Sequence, residues 1–145
     1  GMPMRIEDIK TQAKAAQDGD QKWPTLIMSD GASVDLSQSF APSGSGPAAA
    51  SKVFVKTPMS GSASVVLRSG DRLTFRLDAD ELPWLGLWIN NGEWSGCGSE
   101  PYTNLGIEPA TSPYDCINEA IDNDAVAWLQ PGEEKRWSLT VEMQS

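Results

Sequence analysis

Histidine is absent from all 145 residues, and cysteine occurs only twice, at Cys97 and Cys116. Without imidazole, Ser–His–Asp, Cys–His and every other mechanism with histidine as the base are closed to the chain. With no CxxC and no histidine, a metal site of the zinc type is not expected either. Long apolar runs are also lacking: the hydrophobic stretches are short and interrupted, and none could span a bilayer as a helix. The N-terminal GMPMRIEDIKTQAK has no apolar core of the kind a signal peptide carries. The expectation is a cytoplasmic protein, in which a reducing medium leaves the two cysteines unbridged. Gly1 ahead of Met2 reads as a scar of tag removal. Positive charge is scarce: 11 Lys and Arg stand against 20 Asp and Glu, a net −9, and the basic residues are scattered. Nucleic acid and anionic membranes need a concentrated positive face, so neither is expected as a partner.

What remains is an ordinary globular composition, 39% hydrophobic and 21% charged, at a length that fits one domain. Ile6, Ile9, Ala13 and Ala16 recur at helical spacing, which predicts an amphipathic arm over about 5–17; a loosely packed arm is the alternative. SFAPSGSGPAAAS, residues 39–51, reads as a mobile loop. Beyond it the period changes to two. Val53 and Val55 alternate with Phe54 and Lys56, and Ala63, Val65 and Leu67 alternate with Ser62, Ser64 and Arg68. Leu73, Phe75 and Leu77 alternate with Arg72, Thr74 and Arg76. WLGLWIN (84–90) and TNLGI (103–107) are further strand candidates. In the last run, Trp137, Leu139, Val141 and Met143 are expected to face inward and Arg136, Ser138, Thr140 and Glu142 to face water. PMSG, SGD, NNG and QPGE supply turns between the runs. Several short strands at this spacing predict an all-β fold, an antiparallel β-sandwich. Ser112 as a cap, Pro113 at the first helical position and Asp115 in the first turn predict a helix from Ser112 to about Ile121. Glu108 would then sit where a strand leaves the sheet and that helix begins.

Three features point toward a carbohydrate. Trp84, Trp88 and Trp94 lie within LPWLGLWINNGEWSG, close in sequence to Tyr102. Flat rings stack on the C–H faces of pyranoses, and indole adds a polar N–H; packing within a sheet face accounts for the same residues equally well. Asn90, Asn91 and Asn104 can donate to and accept from hydroxyls, although Asn-Asn-Gly is also a turn signature. Glu108, fixed between Ile107 and Pro109, is either a solvated strand-end charge or a proton acceptor.

LGLWINNGEW followed by NLGIEPATSPYD resembles the C-terminal portion of the galactose mutarotase (aldose 1-epimerase) superfamily, in which a segment of the form N-x-x-[LI]-E-P-x-T carries the catalytic glutamate. The closing LQPGEEKRWSLTVEM resembles that family's final turn and strand. The resemblance implies a mutarotase-like sandwich, a truncated supersandwich with one or two short helices. It makes Glu108 the catalytic base, with Pro109 beside it in the motif. It also implies a sugar site drawn from Trp84, Trp88, Asn90, Trp94, Asn104 and Thr111, with no cofactor and no metal. The chain departs from the family in matching only its C-terminal half and in lacking the histidine that acts as general acid. The implied partner is a monosaccharide or small carbohydrate. Three readings stay open: a sugar-binding protein that is a weak or inactive mutarotase, half of a two-chain or oligomeric epimerase, and a structural or interaction module. The oligomeric reading expects an exposed apolar sheet face that a second chain covers.

Overall fold

Period-two alternation becomes strand in the computed structural model, which describes residues 3–7, 19–37 and 49–145. In chain order the strands are Pro3–Glu7 (β1), Gly19–Lys22 (β2), Thr25–Ile27 (β3), Ser33–Asp35 (β4), Ala49–Lys56 (β5), Ser62–Val66 (β6), Arg72–Leu77 (β7), Trp84–Asn91 (β8), Thr103–Ala110 (β9) and Leu139–Gln144 (β10). The helix Ile117–Asp122 (α1) lies between β9 and β10. The described residues are therefore all-β with one short helix. No helix among the described residues is long and apolar enough to cross a membrane.

The strands form two sheets, one ordered β4-β3-β2-β1-β5-β8-β9 and one ordered β10-β7-β6. Pairing is antiparallel for β1 with β2 and β5, along β2-β3-β4, and throughout the three-stranded sheet. The contacts divide into two units, Gly1–Val55 with Gly86–Glu108, and Lys56–Leu85 with Pro109–Ser145.

In the first unit, odd positions of the central strands face the core. Val53 and Val55 of β5 and Ile89 of β8 are buried with Leu26, Met28 and Leu36, and Trp23, Leu87 and Leu105 pack against them. Even positions face the other way. The β3–β4 hairpin closes through Met28 and Gly31, where Asp30 Oδ1 accepts from the Ala32 N–H at 3.0 Å. In the second unit, Thr57 Oγ1 donates to the Leu82 carbonyl at 2.7 Å, and Thr74 is buried with its hydroxyl 3.0 Å from that of Ser64.

Five expectations are corrected by the structure. Residues 5–7 of the expected N-terminal helix are strand, because β1 pairs on both sides, with β2 and β5; long-range pairing overrides a short local periodicity. Residues 8–17 of that expectation lie outside the described residues. Ala49, Ala50 and Ser51, expected in the loop, open β5, and Ala50 and Ser51 are buried; residues 39–48 lie outside the described residues. The helix begins at Ile117 rather than near Ser112, with Cys116 at its N-cap and no side-chain cap bond. Ser112 does not cap it: its Oγ is buried and has no partner among the described residues. β9 runs two residues beyond Glu108, so Glu108 lies inside a strand and not at its exit. Finally, Trp137, Leu139, Val141 and Met143 do not face inward; they are exposed by 61, 37, 53 and 64%.

Candidate functional site

Parity places Lys52 and Phe54 of β5, Gly86, Trp88 and Asn90 of β8, and Asn104, Gly106 and Glu108 of β9 on the sheet face opposite the core. The two glycines report how closely these strands approach. A Cβ added at Gly86 would meet Phe54 Cε1, the Glu108 carbonyl and Lys52 Cε at 3.1–3.3 Å. A Cβ at Gly106 would lie 3.3 Å from Trp88 Cβ and 3.4 Å from Glu108 Oε1. Absent side chains at both positions let Lys52, Trp88 and Glu108 gather over the strand surface.

Lys52 donates its ammonium N–H to Glu108 Oε2, across a chain separation of 56 residues. The lysine side chain is only 10% exposed, whereas that of Glu108 is 50% exposed. The ammonium also lies 5.6 Å from the Phe54 ring centroid. A lysine this deep in a sheet needs a nearby anion, and Glu108 supplies one at the rim.

Beside this pair runs an aromatic series. The Trp88 and Trp94 rings meet edge to face, with centroids 5.2 Å apart and planes at 82°. Tyr102 continues it at 5.9 Å and 65°. Trp94 and Tyr102 are 37 and 38% exposed, so the series leads from the sheet into solvent. Asn90 is what positions Trp94. Its Oδ1 accepts from the N–H groups of Glu93 and Trp94 at 3.1 and 3.0 Å, and its Nδ2 donates to the Trp94 carbonyl at 2.7 Å.

The residues singled out from sequence are thus sorted. Glu108, Trp88 and Trp94 come together on one face. Asn90 is 1% exposed and its amide is spent on the loop, which corrects its assignment as a sugar ligand: it has no surface to offer a hydroxyl. Asn104 is exposed on the same strand as Glu108, four residues and so roughly 13 Å along it. Trp84 and Thr111 belong to the second unit; the Trp84 ring there lies 4.9 Å from the Lys56 ammonium, and Thr111 is half-buried. Cys97 and Cys116 are free and exposed, and no group of His, Cys, Asp or Glu among the described residues could hold a metal.

Sequence reasoning missed Lys52 and Phe54. The available signal was the run SKVFVK, in which Lys52 shares parity with Phe54 within a strand whose other side is apolar.

The ion pair sets an expectation for stability. Glu108→Gln retains an acceptor but removes the charge facing the buried ammonium. Because Glu108 is half open to water, the loss should be about 1–3 kcal/mol, below the full cost of stranding a buried charge. Lys52→Met should cost less in the Glu108→Gln background than alone, a coupling of about 1 kcal/mol readable from urea midpoints in a double-mutant cycle. Additive losses would mean that the two groups do not depend on each other.

Comparison of the chain with protein-family models, with curated proteins and with solved structures finds no match.

Proposed function

We propose that this protein binds a monosaccharide or small carbohydrate and does not catalyse mutarotation. The observation that carries the reading is the Trp88–Trp94–Tyr102 series beside a half-exposed carboxylate on one sheet face. Exposed rings offer a stacking surface for sugar C–H groups, and Glu108 offers hydroxyls an acceptor at the edge of that surface. The likeness of residues 104–111 to the mutarotase glutamate segment supports the same assignment. Against catalysis stands the engagement of Glu108 by Lys52: one carboxylate oxygen already accepts the ammonium, and that ammonium is too deeply buried to reach a ring oxygen as an acid. Two exposed free thiols fit a reducing setting, and the reading includes a cytoplasmic location.

Titration with glucose and with galactose should change the tryptophan emission at concentrations on the order of tens of millimolar, the range expected of a weak single-sugar site. Trp94→Ala should abolish the response, and Glu108→Gln should weaken it several-fold. Polarimetry on freshly dissolved α-glucose should give the rate of buffer alone. Silence in the fluorescence titration would overturn the binding reading, and an acceleration lost in Glu108→Gln would restore the epimerase.

A further inference from the structure

The three-stranded sheet carries a second feature, independent of the sugar reading. Register places Leu139, Val141 and Met143 of β10 opposite Leu77, Phe75 and Leu73 of β7, which in turn pair Phe75 with Ala63 and Leu73 with Val65 of β6. All eight residues are apolar and share one face. Their exposure is uneven. Leu77 is 8% exposed, and Leu73, Phe75, Ala63 and Val65 are half-buried, but the β10 row opens to 37, 53 and 64%. Exposure on this face thus rises toward β10, the edge strand of the sheet among the described residues.

β10 also lacks several of the usual protections of a sheet edge. It contains no proline and no lysine, and its register with β7 is unbroken from Leu139 to Gln144. Its single charge, Glu142, accepts from Arg76 Nε at 3.0 Å within the same sheet. Among the described residues nothing pairs with the outer edge of β10, which therefore presents backbone donors and acceptors, an apolar row and a carboxylate already matched by a cation.

We propose that β10 pairs antiparallel with β10 of a second copy of this chain, joining two three-stranded sheets about a two-fold axis at Val141. This register sets Leu139 against Met143 of the other copy and Thr140 against Glu142, so the apolar row runs unbroken across both sheets. An axis at Glu142 would oppose two carboxylates, which is destabilising, and an axis at Thr140 would leave only Leu139, Thr140 and Val141 overlapping. With Trp137, 61% exposed just ahead of the strand, the row offers on the order of 400 Å² of apolar surface per chain. That is about half the ~800 Å² per partner of a standard interface, so the dimer is a weak, reversible one. Each chain carries −9, and added salt should tighten the dimer by screening repulsion between the copies.

Sedimentation velocity over roughly 5–500 µM should show a monomer–dimer equilibrium shifted toward dimer by salt. Val141→Arg should raise the dissociation constant at least tenfold with an unchanged circular dichroism spectrum. Should that variant fail to fold, the decisive variant is Val141→Cys in a Cys97→Ser, Cys116→Ser background. Directly opposed residues of an antiparallel pair have Cα atoms about 4.5–5.5 Å apart, within disulfide range, so mild oxidation should link two copies through position 141. Glu142→Cys in the same background, opposed by Thr140 and not by itself, should link far less. A monomer at every concentration, a dimer that survives Val141→Arg, or equal cross-linking at 141 and 142 would each overturn the proposal.

Discussion

Asn90→Ala should lower stability by about 2–4 kcal/mol, because three backbone groups of the 93–94 loop lose their partner at a site closed to water. The urea midpoint should fall with little change in slope, since the surface exposed on unfolding is nearly the same. Asn90→Asp separates the contributions. It keeps acceptors for the Glu93 and Trp94 N–H groups but loses the donor to the Trp94 carbonyl and buries a charge. It should therefore also be destabilised, although its two N–H bonds survive. Well below either midpoint the alanine variant remains folded, yet Trp94 loses its tether and its edge contact with Trp88. Its emission should then move toward that of solvated indole. A stability change under ~0.5 kcal/mol would mean that the loop is held by something other than Asn90.

Among the described glycines, Gly61→Ala is expected to have the largest effect, on the order of 3–5 kcal/mol. Gly61 has φ +61°, and its carbonyl accepts the Leu77 N–H at 2.9 Å as β6 begins. A Cβ there would lie 2.2 Å from the Leu77 carbonyl oxygen, a backbone atom that cannot swing aside. Gly70 supplies the control. Its φ is +94°, but nothing lies within 4 Å of an added Cβ. Gly70→Ala should cost only the left-handed strain, about 1–2 kcal/mol. Comparable losses at the two positions would show that the clash at Gly61 is relieved by backbone movement.

Strand content was legible wherever alternation was long. Arg72–Leu77 is a strand where period two placed it, and the last run, expected from Arg136, becomes strand from Leu139 to Gln144. Which face is covered was not legible. Alternation says that Leu139, Val141 and Met143 share a side, but whether that side meets a core depends on which strand lies next to β10, and no local pattern contains that. Ser112 and Pro113 formed a convincing local start signal for a helix, and the chain instead stays extended through Ala110 and turns helical only at Ile117. Residues 111–116 form bends instead of a first helical turn, so the local cap signal does not set the start. The site was half legible for the same reason. Glu108, Trp88 and Trp94 are close in sequence and close in space, whereas Lys52 arrives from a strand 56 residues away. For Asn90 the sequence leaves a sugar-facing amide and a turn residue both open, because it gives residue type without burial, and burial decides whether an amide faces a ligand or its own loop.

The route of the chain through its two units has a practical consequence. It passes between them at Val55–Lys56, Leu85–Gly86 and Glu108–Pro109, so neither is a continuous stretch of polypeptide. A truncation meant to isolate the aromatic face would have to stitch residues 86–108 onto an earlier piece with an artificial linker in place of thirty native residues. Dissection by simple cloning would instead sever strands partway along their length, at β5, β8 or β9.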